Sequence, residues 1–243
     1  MGLAEAEIIF KMKKLVSVII PAKDEEATIG KVLSDLNKVI KKTKKYRFEV
    51  IVVDDKSRDR TGIIARGYGA KVIRNHGGSG KGKALALGFK HAKGDYIVML
   101  DADYSHKPEE MPEFLDELEK GYGLVVGSRH LGGSEEYTFV RLVGNVILTS
   151  AFRIFFGVAL SDALNGYKAF KRNIIDKHSY KSKDFEIEIE LIANAMRENE
   201  KVSEIISHER ARAGGKMKSF APVHGTKFLL KIISEGLKIR LGF

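Results

Sequence analysis

Four short apolar runs, each closed by a polar or glycine-rich turn, constrain this chain more than any other feature. Residues 15–20 ("LVSVII"), 48–53 ("FEVIVV"), 71–74 ("KVIR") and 96–100 ("YIVML") are rich in β-branched side chains and read as buried strands. Between them, 27–42 and 83–92 carry apolar residues at helical spacing, with Ile29, Val32, Leu33, Leu36, Val39 and Ile40 on one face. This alternation of strand and helix predicts an α/β fold with a mostly parallel sheet. Ligands of such sheets bind beyond the carboxyl ends of the strands. The polar clusters Lys23-Asp24-Glu25, Asp54-Asp55, residues 77–83 and Asp101-Ala102-Asp103 all fall at such ends.

The second half is less regular. Residues 140–160 form a strongly apolar stretch interrupted by Arg141, Asn145 and Arg153, and read as a core helix or one lying in a membrane surface. Residues 185–196 read as a helix, 202–206 as a strand and 226–241 as a basic amphipathic helix. At 243 residues and 44% hydrophobic, the chain can bury one large core, and a single domain over 1–243 is expected. An N-terminal extension over 1–14 and the basic helix from about 222 to 243 would flank it. The absence of cysteine excludes disulfides, thiolate metal sites and cysteine nucleophiles. No apolar run approaches the roughly 20 residues of a spanning helix, and no basic leader opens the chain, so a cytoplasmic protein is expected. The net charge of +10 is uneven: eight Lys or Arg face one acid, Glu235, from Arg210 onward. Such a tail could meet an anionic lipid, a phosphorylated substrate or nucleic acid.

The stretch from Asn75 to Ala84, "NHGGSGKGKA", matches G-x-x-x-x-G-K but ends in Ala84 where a P-loop needs a hydroxyl to bind Mg²⁺. A P-loop-like ATPase is the reading this motif offers, with "YIVMLDAD" as its Mg²⁺ strand; the missing hydroxyl and its place after the third strand rather than the first oppose it. The acids are more informative. Asp101 and Asp103 follow a buried strand with one residue between them, and strand alternation would point both to one side. They could hold Mg²⁺ or Mn²⁺, hard cations that take oxygen ligands and bridge to a nucleotide diphosphate. Asp54-Asp55 provides a second acidic strand end in a neighbouring β-α unit. Like charges buried together are costly without a cation or hydrogen-bonding ligand, so the two ends suggest one shared site for nucleotide and metal.

Seven stretches in this order, "VSVIIPAKDEEATI", "VIVVDDKSRDRT", "GKGKALALGFKHAKGDYIVMLDADYSHKPEEMP", "VVGSR", "DALNGYKAFKR", "FEIEIELIANA" and "RAGGKMK", resemble glycosyltransferase family 2 with its GT-A fold. Within it they are similar to the polyprenyl-phosphate sugar transferases of the dolichol-phosphate mannose synthase type. The resemblance runs from about residue 16 to 218. It implies that the glycine-rich stretch opens a helix behind a donor site, where alanine is expected. It further implies that Pro21, Ala22, Glu25, Asp54 and Asp55 contact the base and ribose of a nucleotide-sugar, a GDP-mannose or a UDP-sugar, with Lys81 nearby. Asp101 and Asp103 would hold the diphosphate and Mg²⁺ or Mn²⁺, and Arg129 would lie close to the transferred sugar or phosphate. Asp24 stands where the family usually has Asn.

A hydroxyl acceptor must lose a proton during attack, whereas a phosphate monoester is already anionic and needs cations instead. By resemblance, Arg212 and Lys218 would grip the phosphate of a polyprenyl or dolichyl acceptor, although Met217 replaces the family's usual serine. A hydroxyl acceptor would instead call on Asp162 or on an acid of the 185–190 stretch, of which Glu188 is the candidate and Glu186 and Glu190 read as a solvated helix side. Asp103, Arg129, Asp162 and Glu188 are thus the catalytic candidates. The branch works at a bilayer, and Lys227, Lys231, Lys238 and Arg240 interleave with apolar residues in a way suited to anionic headgroups, so a peripheral protein on the cytoplasmic membrane face is expected. Packing of both apolar helices on the domain or on a second subunit is the alternative. Nucleic acid is not an expected partner, since no aromatic platform accompanies the charge.

Overall fold

The computed structural model describes residues 13–135, 139–213 and 221–241. Seven strands form one sheet: β1 (Leu15–Ala22), β2 (Arg47–Asp54), β3 (Lys71–Arg74), β4 (Tyr96–Met99), β5 (Leu124–Ser128), β6 (Lys168–Lys171) and β7 (Val202–Ile206), in the order β3-β2-β1-β4-β6-β5-β7. β1, β2, β3 and β4 are mutually parallel, as are β5 and β7, and β6 runs antiparallel to both neighbours. The four expected strands of the first half are all present. β1 continues two residues further than its apolar run because Pro21 and Ala22 stay in register with Val53 and Asp54.

The helices are α1 (Ile29–Lys42), α2 (Thr61–Gly67), α3 (Lys81–His91), α4 (Met111–Glu119), α5 (Arg129–Gly132), α6 (Phe139–Phe156), α7 (Asn173–Asp176), α8 (Ile187–Arg197) and α9 (Ala221–Leu241). Side chains alternate across β1, so Val16, Val18 and Ile20 meet α1 and α4 while Ile19 joins the opposite layer with α3, α6 and α8. The helix expected over 140–160 stops at Phe156. Gly157 follows at φ 72° and its N–H returns to the Arg153 carbonyl at 2.9 Å, a left-handed stop that glycine adopts without strain. Leu148, Phe152 and Phe156, spaced by four, form the buried stripe of α6 and share a core with Ile232 of α9.

α9 rests on the sheet domain through much of the charge expected to face headgroups. Glu235 is buried and receives Arg197 of α8 at 2.6 Å, with Lys231 at 3.1 Å and Lys238 at 3.2 Å. Arg240 donates to the carbonyls of Ile154 and Phe155 on α6. Lys231 is half-buried against Glu235, whereas Lys227, Lys238 and Arg240 remain exposed even where they pair, so the basic side of α9 is only partly a packing side. Apolar residues remain outside: Val143, Val146, Ile147 and Ile154 on α6, and Leu230, Leu237 and Leu241 on α9. Among the described residues no helix is long and apolar enough to cross a membrane.

Candidate active site

From β1 the chain winds outward to β2 and β3 and then returns to β4 on the other side of β1. That reversal opens a crevice at the carboxyl ends of β1 and β4. A cavity of about 500 Å³ lies there, lined by Pro21 and Ala22 at the end of β1, Lys23 and Glu25 after it, Asp55 after β2, Ser79, Gly80 and Lys81 at the start of α3, and Asp101 to Asp103 after β4. Asp184, Phe185 and Arg212 close it from the second half of the chain.

Asp101 and Asp103 come together differently from the expected strand alternation. β4 ends at Met99, and residues 101–104 form a turn in which Tyr104 takes φ 69°. The turn is shaped by His106, whose Nδ1 accepts the Asp101 N–H at 3.0 Å and whose Nε2 faces Asn165 Oδ1 at 3.0 Å. That pairing assigns the Nε2–H tautomer. Asp103 accepts from the Ser105 N–H and hydroxyl at 3.0 and 2.6 Å, and its other oxygen meets Arg212 Nη2 at 2.7 Å. Arg212 also lies 3.9 Å from Glu25. It arrives there on a segment pinned to the turn, since the Arg210 N–H donates to the Ser105 carbonyl at 2.9 Å.

Lys81 Nζ lies 2.7 Å from Asp101 Oδ1 and 3.2 Å from Glu188 Oε1. Burial disfavours the Asp101 carboxylate, but Lys81, followed by His106 and Arg212, reverses this and holds its pKa well below the usual carboxylate range. Burial likewise works against the Lys81 ammonium, and Asp101 and Glu188 more than offset it, so its pKa is raised. Gly166 makes the pairing possible. A Cβ there would stand 2.7 Å from Lys81 Nζ and 2.9 Å from Asp101 Oδ2.

The glycine-rich stretch does not cradle phosphate as a P-loop does. Gly80, at φ 133°, and Gly82 let the start of α3 pack against backbone of 182–184: a Cβ on Gly82 would meet the Ser182 carbonyl at 2.4 Å, and Lys83 N–H donates to the Lys183 carbonyl at 3.2 Å. The helix start that a P-loop would offer to phosphate is covered by the protein's own chain. Asp55 orders the preceding loop, accepting from Asn75 Nδ2 at 2.8 Å, Ser79 at 2.7 Å and the Gly80 N–H at 2.9 Å. Asp54 faces away from the cavity lining and accepts the Ser57 N–H at 2.8 Å. Both strand-end acids of β2 thus build loops, and Asp55 alone of the two lines the cavity.

Arg129 and Asp162 stand outside that lining. Arg129 donates from Nε and Nη2 to the two Asp162 oxygens at 2.6 and 2.8 Å and reaches Glu209 at 3.2 Å. Burial raises the Asp162 pKa, but the Arg129 guanidinium reverses the effect and the net shift is downward. Asp162 is therefore a poor proton acceptor, and the pair braces the end of β5. Glu188 is buried, with Lys168 at 2.7 Å on one oxygen and Lys81 facing the other. Glu186 and Glu190 do not lie on a solvated side. Glu190 is buried and accepts the Lys181 and Ser182 N–H groups at 3.0 and 2.9 Å, and Glu186 is half-buried, 3.9 Å from Lys227. Acids two apart in a helix are about 200° apart around its axis, so three of them cannot share one face. α9 covers what spacing alone leaves open. Lys218 and Met217 lie outside the described residues.

Lys23, Ser79, Asp184 and Phe185 line the cavity without having been singled out as site residues. The Asp184 carboxylate makes no hydrogen bond or ion pair within the described residues, unlike the other cavity acids. It precedes α8 in a stretch with no strand-end signature, so only the fold brings it to the cavity. Among the described residues no group of three or more His, Cys, Asp or Glu is arranged to hold a metal ion; Asp101 and Asp103, both on the cavity wall, are the carboxylates that could offer oxygen ligands to a hard divalent cation.

A profile described as Glycosyl transferase family 2 matches residues 17–179. A dolichol-phosphate mannosyltransferase of Pyrococcus furiosus is 30% identical over 191 residues, which are 73% of this chain and 52% of that protein. The chain thus spans about half the length of that relative. A dolichyl-phosphate hexose transferase of Haloferax volcanii is 28% identical over 82% of this chain and 84% of its own length. Among solved structures, glucosyl-3-phosphoglycerate synthase of Mycobacterium tuberculosis, crystallised with Mn²⁺, UDP and glucosyl-3-phosphoglycerate, superposes with a TM-score of 0.72 at 22% identity, covering 97% of this chain and 84% of that one.

Proposed function

Because the chain belongs to glycosyl transferase family 2, we propose that its cavity binds a GDP- or UDP-hexose and that the hexose is transferred, with inversion, to a polyprenyl or dolichyl phosphate. The observation that carries the acceptor class is the state of the expected bases. Asp162 is tied to Arg129 and Glu188 is enclosed by two lysines, whereas Arg212 stands on the cavity wall beside Asp103. A cation on the wall suits an acceptor that is already an anion and needs no base.

Asp101 and Asp103 would hold Mg²⁺ or Mn²⁺, which supplies positive charge to the departing diphosphate. The chain's own groups do the rest. Lys81 keeps Asp101 ionised, Asp55 holds the 75–80 loop against the nucleotide, and Arg212 orients the acceptor phosphate toward C1. Lys218 is proposed to share that grip. Pro21, Ala22 and Glu25 would line the base and ribose end. Acceptance of a lipid phosphate would take place at a membrane surface on the cytoplasmic side, with the exposed apolar residues of α6 and α9 toward the bilayer.

A second reading keeps the donor site and transfers to a saccharide hydroxyl. The Asp184 carboxylate, which has no hydrogen-bond or ion-pair partner among the described residues, favours it, as a base that neither Asp162 nor Glu188 supplies. The experiment is transfer of radiolabelled sugar from GDP-mannose, UDP-glucose and UDP-N-acetylglucosamine, with Mg²⁺ or Mn²⁺, into an organic-extractable product with dolichyl phosphate present. Label in the organic phase, lost in Asp103→Ala and retained in Asp184→Asn, is the expected result. Transfer only to water-soluble saccharides, abolished in Asp184→Asn, would replace the first reading by the second.

A further inference from the structure

Behind the cavity runs a line of four alternating charges that the transfer reaction does not by itself require. Lys168 sits on β6 opposite Met99 of β4 and Val126 of β5, and its side chain is fully buried in the middle of the sheet. Its Nζ donates to the Asn165 carbonyl and to Glu188 Oε2, the latter at 2.7 Å. Glu188 Oε1 faces Lys81 Nζ at 3.2 Å, and Lys81 reaches Asp101 at 2.7 Å. Burying an amine inside a sheet is expensive: burial lowers the Lys168 pKa, with Glu188 holding against that shift, and an apolar side chain of the same length would fill the space at less cost. Lys168 therefore has a use other than packing.

That use follows from the order of the charges. Lys81 stands between two carboxylates, and each competes for it. The more strongly Glu188 draws Lys81, the more negative charge Asp101 has left for a cation in the cavity. Lys168 opposes this draw, because it neutralises Glu188 from behind. We propose that Lys168 and Glu188 are positioning residues that divide the Lys81 ammonium between Glu188 and Asp101, and thereby set how tightly the Asp101–Asp103 turn binds a divalent cation. The inference rests on the reading of those two aspartates as metal-holding groups. In the native chain the division favours Asp101, the shorter contact, which keeps affinity for a bare cation low and makes binding depend on the diphosphate that arrives with it.

Mn²⁺ binding to the whole protein, followed by loss of the free-ion electron paramagnetic resonance signal, tests this with no turnover involved. It is measured without nucleotide and with GDP or UDP, on the native chain, Lys168→Met, Glu188→Gln and the double variant, each checked by thermal unfolding. Removing Lys168 frees Glu188 to pull Lys81 away, so Lys168→Met binds Mn²⁺ about fivefold more tightly. Removing the Glu188 charge leaves Lys81 wholly to Asp101, so Glu188→Gln binds about fivefold more weakly. The double variant returns to within about twofold of the native affinity, because both opposing charges are gone. Lys168→Arg, which keeps the charge, stays close to native, and Lys168→Gln, which removes it, serves if Lys168→Met does not fold. A structural role alone would weaken binding in all variants and most in the double; that pattern, or unchanged affinity in the singles, overturns the inference while leaving the metal reading intact. No uptake of Mn²⁺ by the native chain with either nucleotide overturns the metal reading itself, and this inference with it.

Discussion

Gly166 shows how far one missing atom can matter at the residue scale. Asn165 beside it holds His106, the Gly127 carbonyl and the Tyr167 N–H at once, so this short turn joins the 101–106 loop to β5 and β6. Gly166 itself leaves room for Lys81 to meet Asp101. Gly166→Ala would press a methyl group against both charged atoms and separate them. Because the intruding contacts are side-chain tips, the fold should tolerate it at a cost of about 1–2 kcal/mol, while Mn²⁺ affinity should rise about fivefold as Lys81 is parted from Asp101. Isothermal titration with Mn²⁺, beside a melting curve, checks both halves. Asp103→Ala belongs to the same scale: it removes the proposed anchor of the diphosphate and strands Arg212, and transfer should drop by about 100-fold or more, read by the organic-phase assay.

Elements are legible from sequence to the extent that their signal is local. The strands of the first half stand out because their runs are mostly apolar and β-branched, although β3, at the edge of the sheet, is half-exposed rather than buried as expected, and α1 stands out because its apolar stripe repeats at helical spacing. α9 is different. Its lysines and arginine look like a lipid-facing side until α8 and α6 supply Arg197 and the carbonyls that bind it. Burial pushes the Glu235 carboxyl up, but Arg197 and then Lys231 and Lys238 reverse the effect and bring its pKa down to about 2. A carboxyl depressed in the folded state contributes stability above its unfolded value of about 4.5, and that contribution is lost as pH falls through about 2. Glu235→Gln should therefore cost about 2 kcal/mol near pH 7 and progressively less below pH 4.5. Paired thermal unfolding curves from pH 7 to pH 3 test the convergence; a constant difference between the two proteins would show that the charge of Glu235 is not what anchors α9.

Across the whole molecule, the proposed donor cavity and the exposed apolar residues of α6 and α9 belong to one body, with Phe152 and Ile232 in the same core layer as Ala84 and Leu85 of α3. The proposed work at a bilayer makes a distinction that the whole molecule alone can show. Ile147→Asp with Leu237→Asp should abolish flotation with vesicles of anionic lipid and reduce transfer to long-chain dolichyl phosphate about tenfold. Transfer to a short, water-soluble polyprenyl phosphate should be unaffected, since neither residue lines the cavity. Equal loss on both acceptors would place the effect in the fold rather than at a membrane.

The α/β class and the place of Asp101 and Asp103 just past β4 were determined by sequence alone, because hydrophobic periodicity and the turns that end strands act over a few neighbouring residues. What each charged side chain does was decided by tertiary structure. Asp162 and Glu188 read as bases until folding sets Arg129 against one and two lysines around the other. Lys168 is one lysine among many until β6 carries it into the centre of the sheet, and Asp184 is an ordinary loop acid until it reaches the cavity wall. Electrostatic roles depend on partners far apart in the chain and on the water excluded between them, and both exist only once the chain has folded.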